Sequence, residues 1–303
     1  MSKRLWLDTH IHVSATNADG SHRDNLVSDL LAVLDGDGDD LRLVINPDGA
    51  EMSRVKTDPN GQLDGARFIK SVVDGAPGRL FGACMVNPNY FDEAMQTMDL
   101  CLGEWGFALL GEMLQYMMDY KMNSDPVEKL VRRAAVEFDV PVQVHISTAF
   151  PFKDKSSWGM EQLEDLLGLV QRVPEAKYIL AHFVGMPDDN PPVVDQYLDR
   201  LDQEFSTWPD NFYAEIRDFD SPGVRSLLAR VPHNRIIAGT DWVTRVGPPF
   251  LPYGCIFGVK TEDENPYPPR VATMVKFLRE AGASEETIDL IGSRNALELL
   301  PLG

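Results

Sequence analysis

The stretch that decides the fold is LWLDTHIHV, residues 5–13. It opens on three large apolar residues and continues into two histidines one residue apart, a pattern typical of a β-strand that ends at a polar site. Because side chains alternate along a strand, we predict that Asp8, His10 and His12 share one face, with the odd-numbered residues between them on the other. The two imidazole groups therefore point toward the same position in space.

The composition is that of a globular, strongly acidic protein. With 303 residues, 44% of them hydrophobic and 25% charged, the chain fits one α/β barrel or two smaller domains. The formal net charge is -19 and no run is rich in Lys or Arg. Since phosphate backbones are bound largely by cationic side chains, we expect a small-molecule substrate and no nucleic-acid partner.

We predict a cytoplasmic protein with no membrane association. No apolar run approaches the roughly 18 residues that cross a bilayer, and the first residues lack the charged-then-apolar pattern of an export signal. The three cysteines, Cys84, Cys101 and Cys255, are an odd number without metal-binding spacing. This usage favours reduced thiols that act as small buried hydrophobic groups.

Eight short aliphatic and β-branched runs recur along the chain, with helical patterns between several of them. These runs are predicted strands over residues 5–9, 41–46, 80–86, 107–113, 140–146, 177–183, 212–217 and 235–241. Strand–helix units imply parallel strands, and eight of them close a (β/α)8 TIM barrel that occupies residues 1–303 as a single domain. An open doubly wound sheet is the alternative, but no Gly-rich dinucleotide fingerprint follows the first strand.

Polar residues stand at or near the carboxyl ends of five predicted strands. They are His10, His12, Glu112, His145, His182 and Asp241. In a barrel these ends meet at one mouth. One histidine on an apolar strand is usually a hydrogen-bonded core residue. A polar residue after each of several apolar runs is different, because burying all of them without partners would cost much free energy of folding. Imidazoles with carboxylates suit zinc, manganese or iron better than calcium or magnesium, so we predict a divalent metal.

The motifs THIH, VQVHIS, LAHF, AGTDW and the closing GSRNALELL resemble the amidohydrolase superfamily over nearly the whole chain. The likeness is greatest to the amidohydrolase-2, or amidohydrolase-related, branch. That branch contains metal-dependent hydrolases and decarboxylases of the aminocarboxymuconate-semialdehyde type. The resemblance implies a mononuclear metal site whose ligands match His10, His12, His145 and Asp241. It also implies that His182 binds or polarises the substrate, or moves protons.

Glu112 departs from the simplest pattern of this branch. GEMLQYMMDY also resembles the GE motif of TatD-type metal-dependent nucleases, in which a strand-four glutamate helps to hold a second metal. Glu112 is therefore either a metal ligand or a residue that contacts the substrate or another ligand, and one or two ions are expected. Zinc is the first choice, with manganese or iron as alternatives. The resemblance further implies a homodimer.

The leading hypothesis for function is hydrolysis of a small-molecule amide, lactone or ester. A metal-bound water would attack the carbonyl, Asp241 would take and return the proton, and the metal or His182 would stabilise the oxyanion. Non-oxidative decarboxylation of a small aromatic or unsaturated carboxylic acid is the alternative. The net charge disfavours a TatD-like nuclease, and an intact ligand set disfavours a non-catalytic binding protein.

Two arginines lie near the ends of the seventh and eighth predicted strands. Arg217 and Arg245 would clamp a substrate carboxylate in either reaction, or they are ordinary ion-pairing residues of the rim. Glu215 and Asp218, beside Arg217, favour a local ion pair.

Overall fold

The computed structural model describes residues 3–17, 20–146, 159–185, 192–244 and 270–302. Within these residues, nine parallel strands form one sheet. In chain order they are β1 (Leu5–Val13), β2 (Asp40–Pro47), β3 (Leu80–Cys84), β4 (Leu109–Met113), β5 (Val142–His145), β6 (Tyr178–Val184), β7 (Phe212–Ile216), β8 (Ile236–Ala238) and β9 (Trp242–Val243).

Helices separate most of the strands, as the alternating pattern predicts. They are α1 (Leu26–Gly36), α2 (Gly49–Thr57), α3 (Gly61–Asp74), α4 (Phe91–Met98), α5 (Gln115–Met118), α6 (Asp125–Val136), α7 (Met160–Arg172), α8 (Pro192–Glu204), α9 (Gly223–Arg230), α10 (Val271–Ala281), α11 (Glu285–Asp289) and α12 (Asn295–Leu299). In α6, Pro126 occupies the first turn, where no backbone N–H is needed. The buried residues Val127, Leu130 and Val131 then recur at helical spacing and face the sheet.

The sheet closes into a (β/α)8 TIM barrel, which confirms the predicted fold class. Its strand order runs from β8 down to β1 and ends at β9. Since only residues 239–241 separate β8 from β9, both ends of the sheet belong to one interrupted eighth strand. The prediction of an unbroken strand over 235–241 is wrong in this detail. Asp241 has a φ of 51°, in the left-handed region that a continuous strand does not contain.

A β-bulge in β1 changes which side chains face the barrel interior. The pairing of β1 with β2 shifts by one residue between Asp8 and Ile11. As a result the neighbours Thr9 and His10 both contact Glu215 across the interior. Strict alternation would place them on opposite faces, so the predicted alternation fails before His10 and holds only from there onward.

Apolar side chains pack on both sides of the barrel strands. Six strands each contribute a side chain to a cluster inside the barrel: Leu7, Val44, Ala83, Leu109, Ile179 and Ile237. A larger cluster, which includes Trp6, Leu43 and Leu130, fills the space between the strands and the helices. Each fully buried aliphatic side chain contributes about 1.5–3 kcal/mol relative to exposure, so these layers stabilise the barrel that positions the polar residues at its carboxyl end.

The structure also shows the surroundings of two cysteines and the length of the described helices. Cys84 and Cys101 are buried free thiols, and Cys255 lies outside the described residues. Among the described helices, none combines the length with the apolar composition needed to cross a bilayer.

Asp8 joins the first strand to the eighth. Its Oδ1 accepts hydrogen bonds from the Thr240 N–H at 2.9 Å and the His10 N–H at 3.1 Å, and its Oδ2 accepts from the Thr240 hydroxyl at 2.6 Å. The Asp241 N–H adds a further hydrogen bond between these two parts of the chain by donating to the His10 carbonyl at 2.7 Å. Burial raises the pKa of Asp8 to about 7, although the hydrogen bonds oppose this rise.

We expect Asp8 to make the metal-free protein less stable as the pH rises. The folded protein retains the Asp8 proton up to about pH 7, whereas the ordinary pKa in an unfolded chain is 3.8. The stabilising contribution is therefore full below that value and is lost as the pH rises through about 7. Asp8→Asn should remove this loss, which amounts to at most about 4 kcal/mol.

Urea unfolding in the presence of a chelator, from about pH 4 to about pH 8, measures the effect. The amide keeps acceptors for the two backbone N–H groups and can donate to the Thr240 hydroxyl, so the variant should fold. Equal pH dependence of the free energy of unfolding in wild type and variant would contradict the assignment.

Candidate metal centre

The structure brings all six predicted site residues to the carboxyl end of the barrel. They are His10 and His12 from β1, Glu112 from β4, His145 from β5, His182 from β6, and Asp241 from the break between β8 and β9. Five of them are buried, and the side chain of Asp241 is 20% exposed. Residues up to 231 positions apart in the sequence thus share one site, because parallel strands end on the same side of the barrel.

The two imidazoles of β1 face each other through the same ring atom. His10 Nε2 and His12 Nε2 are 3.1 Å apart. The His10 Nδ1 lies 2.9 Å from Glu215 Oε1, and the His12 Nδ1 lies 3.0 Å from the Pro47 carbonyl oxygen. Because a carbonyl and a carboxylate accept hydrogen bonds, both Nδ1 atoms donate, and a neutral ring then presents an Nε2 lone pair. Two Nε2 atoms at this distance share either a proton, when one ring is protonated, or a metal ion, when both rings are neutral.

Two carboxylate oxygens complete this group of donors. Glu112 Oε2 lies 3.3 Å from both Nε2 atoms, and Asp241 Oδ1 lies 3.4 Å from His12 Nε2 and 3.8 Å from His10 Nε2. Metal–ligand bonds of about 2.1 Å at angles of about 90–109° put neighbouring donor atoms about 3.0–3.4 Å apart. The group therefore fits a divalent metal in both donor type and spacing.

The other oxygen of Glu112 belongs to a second group of donors. Glu112 Oε1 lies 2.9 Å from His145 Nδ1 and 3.0 Å from His182 Nε2. The His182 Nδ1 donates to the Ile146 carbonyl at 2.7 Å. Burial and the neighbouring His182 lower the pKa of His145 to about 4, which keeps that ring neutral. Glu112 thus lies between both groups, and His145 contacts Glu112 and His182 rather than the facing nitrogens of β1.

Carboxylates outnumber cations in this centre. Glu112, Asp241 and Glu215 all lie within ion-pair distance of imidazoles. Among the described residues, the arginine that contacts these carboxylates is Arg217, whose Nε donates to Asp241 Oδ2 at 2.9 Å. Within the part of the chain that the structure describes, the carboxylates of Glu112 and Glu215 have no permanently charged partner. Buried charges of this kind are tolerated only when paired, so protonated rings or a divalent cation must balance them.

The pKa shifts describe the same balance in the metal-free protein. Burial lowers the pKa of His10, but Glu215 and Glu112 outweigh it and leave that pKa well above its ordinary value. Burial disfavours the ionised form of Glu112, yet His10 holds its pKa well below the usual range. Burial also opposes ionisation of Asp241, but Arg217 and the imidazoles lower its pKa. Metal binding must therefore displace protons from the rings.

Two site residues have a left-handed backbone conformation. The φ angles are 39° at His182 and 51° at Asp241. A non-glycine residue in this region costs about 1–3 kcal/mol, which the surrounding structure must offset. Hydrogen bonds hold both residues, because the His182 N–H donates to Glu215 Oε1 at 2.8 Å and the Asp241 N–H donates to the His10 carbonyl.

A cavity of about 130 Å³ lies against the two donor groups. Its polar lining consists of His12, Asp48, Glu112, His145, His182 and Asp241. Its apolar wall consists of Met52, Leu114, Met117 and Val243, with Tyr116 against the His145 ring at a centroid distance of 4.5 Å. Such a cavity admits the reacting end of a small molecule.

The structure assigns new partners to the residues around the seventh strand. Glu215, which the sequence suggested as a partner of Arg217, instead points inward and contacts His10, while Arg217 contacts Asp241. The signal for Glu215 was a charged residue at the inward position of the apolar run NFYAEI, the same kind of signal that identified His145. Arg245 lies outside the described residues.

Comparison with solved structures finds the same fold over almost the full length. A 5-carboxyvanillate decarboxylase from Sphingomonas paucimobilis shares 16% identity at a TM-score of 0.64, with 100% of both chains covered. A 4-oxalomesaconate hydratase from Rhodopseudomonas palustris shares 15% identity at a TM-score of 0.67, covering 98% of this chain and 96% of that chain.

A 5-carboxyvanillate decarboxylase from Novosphingobium aromaticivorans, in complex with manganese and a nitrobenzoic acid, shares 12% identity at a TM-score of 0.64, with 98% of this chain and 96% of that chain covered. A search of curated proteins gives no match. The model of the amidohydrolase-2 family, described as amidohydrolase, matches residues 7–302. With its TIM barrel and its histidine and carboxylate centre, this protein belongs to the amidohydrolase-2 family.

Proposed function

We propose that this enzyme is a divalent-metal-dependent hydrolase of a small-molecule amide, lactone or ester. The observation that carries the proposal is the 3.1 Å approach of the His10 and His12 Nε2 atoms while both Nδ1 atoms face acceptors. A cation between these nitrogens relieves the repulsion of their lone pairs, and Glu112 and Asp241 oxygens lie at ligand spacing. Donor chemistry favours zinc, with manganese or iron as alternatives.

In this proposal the metal, when bound, supplies a Lewis acid for the carbonyl oxygen and lowers the pKa of a coordinated water. Asp241 is the proton carrier. Its Oδ2 is held by Arg217, so Oδ1 remains directed at the centre, where it takes a proton from water and returns it to the leaving group. His182, which lines the cavity, stabilises negative charge on the substrate oxygen.

The two carboxylate oxygens of Glu112 face different donor groups, so the centre offers places for one metal ion or for two. Its Oε2 faces the His10 and His12 group, and its Oε1 faces the His145 and His182 group. We propose one ion in the first group. A content of one ion per chain would leave His145 and His182 for substrate and proton handling, whereas a content of two ions would assign them, with Glu112, as residues that hold a second metal.

A second candidate is non-oxidative decarboxylation of a small carboxylic acid. Two of the similar structures are 5-carboxyvanillate decarboxylases, one of them in complex with manganese. The same geometry serves this reaction, because His182 lines the cavity and, as an imidazolium, would deliver its Nε2 proton to the carbon that loses carbon dioxide. The two candidates differ in the bond that breaks and not in the residues that bind metal.

We also propose that residues 1–303 form one domain that acts as a cytoplasmic homodimer. The match of the family model to residues 7–302 supports a single domain, and the continuous apolar layers of the barrel support it further. The dimer rests on the resemblance to the amidohydrolase-2 branch.

His10→Ala should lose the metal and reduce turnover to background, because one of the two facing nitrogens is removed. Elemental analysis of the purified protein measures the metal, and circular dichroism checks the fold. His233→Ala is the matched control: its ring contacts Thr287 and the Leu228 carbonyl, and the variant should keep the wild-type metal content. Full metal content in His10→Ala, or none in the wild type, would contradict the proposed centre.

The reaction class is decided by product analysis of the metal-loaded enzyme against a panel of lactones, amides, esters and aromatic carboxylates. We expect hydrolysis products from at least one neutral substrate and no carbon dioxide. Asp241→Asn should abolish this hydrolysis by removing the proton acceptor. Carbon dioxide release from a carboxylate, without hydrolysis anywhere in the panel, would overturn hydrolysis and assign the second candidate.

A further inference from the structure

Glu215 is a fully buried carboxylate on β7 that lies beneath the metal centre. Its Oε1 accepts from the His10 Nδ1–H at 2.9 Å and from the His182 backbone N–H at 2.8 Å. Its Oε2 accepts from Gln143 Nε2 at 2.8 Å. The carboxylate thus contacts His10 of one donor group and His182 of the other, but Glu215 is not itself a member of either group.

The barrel leaves a specific space for this carboxylate. A Cβ atom at Gly239 would lie 2.4 Å from Glu215 Cδ and 2.5 Å from Glu215 Oε2, distances at which side chains clash. Gly239 lies at the start of the break between β8 and β9, and its missing side chain lets the Glu215 carboxylate reach across the interior to β1. Residues from β1, β5 and β6 therefore contact Glu215, and Gly239, in the break after β8, leaves space for it.

The hydrogen bond to His10 has a consequence for the opposite side of the ring. Because Nδ1 must donate to the carboxylate, the lone pair is on Nε2, the atom that faces His12. A negative charge at Nδ1–H also increases the donor strength of Nε2, as in other carboxylate–histidine–metal arrangements. At His182, the same carboxylate holds a backbone with a φ of 39°.

We infer that Glu215 is a positioning residue that orients His10 for metal binding and holds the backbone of His182 at the second donor group. This inference rests on the metal centre proposed above. Glu215 is not among the described residues that line the cavity, so its effect on the reaction passes through His10 and His182.

The test is the affinity of the purified protein for Zn²⁺ and for Mn²⁺, measured by competition with a chelating dye, in wild type and Glu215→Gln. Glutamine has the shape of glutamate and can place its oxygen toward His10. Its amide nitrogen can meet the Gln143 side chain, whose own amide can rotate to accept. We expect the fold to persist and metal affinity to fall about 10- to 100-fold.

Asp8→Asn is the matched control. It also removes a buried carboxylate beside His10, but Asp8 contacts the backbone N–H of His10 and not the ring. Its metal affinity should stay within about twofold of wild type, well below the loss expected at Glu215. An equal loss in both variants would show a general effect of replacing a buried carboxyl group near His10 and would overturn the inference.

A second readout follows the ring itself. In zinc-loaded protein labelled with ¹⁵N at histidine, the His10 Nδ1–H should be detected and protected from exchange in wild type, and weakened in Glu215→Gln. If Glu215→Gln does not fold, Gly239→Ala displaces the carboxylate while keeping its charge, and should lower metal affinity too. Wild-type affinity in the folded Glu215 or Gly239 variant overturns the inference alone, whereas absence of metal binding by wild type overturns the proposed function.

Discussion

The centre depends on one constraint, which is that two imidazole rings of β1 direct the same nitrogen at each other. Each ring is locked by an acceptor at its far side, the Glu215 carboxylate for His10 and the Pro47 carbonyl for His12. Neither ring can turn its lone pair away without leaving a buried donor unpaired, at a cost of about 1–3 kcal/mol. A proton on one of the rings or a bound metal ion is therefore needed to relieve the repulsion between the two nitrogens.

The fold meets this constraint through local departures from regular structure. The bulge in β1 brings His10 and His12 inward together, and the break after β8 lets Asp241 approach both rings. The left-handed backbone at His182 and Asp241 adds conformational cost at the same end of the barrel. The opposite end contains an apolar cluster of regular strands, so stability and chemistry are separated along the barrel axis.

Much of this arrangement could be predicted from the sequence. Apolar runs followed by a polar residue identified the strands and placed His145 and His182 at their ends, and the family resemblance to the amidohydrolase-2 branch is confirmed. These features are local, since a run of apolar residues and the residue after it are read from a few positions of the chain.

What could not be predicted depends on contacts between distant strands. The bulge near Thr9 is a matter of register between β1 and β2, and no single strand encodes it. The apolar run NFYAEI marks Glu215 as a charged residue among buried ones, but its contact with His10 depends on the space that Gly239 leaves in the break after β8, which the sequence around Glu215 does not reveal. The pairing of Arg217 with Asp241 likewise joins β7 to the break in the eighth strand.

Anomalous diffraction from crystals grown with Zn²⁺ or Mn²⁺, recorded at the absorption edge of the metal, tests the metal centre directly. We expect an anomalous peak about 2.0–2.3 Å from the Nε2 atoms of both His10 and His12, with an oxygen of Glu112 or Asp241 at similar distance. A metal bound elsewhere, or two facing rings with no ion between them at saturating metal, would contradict it.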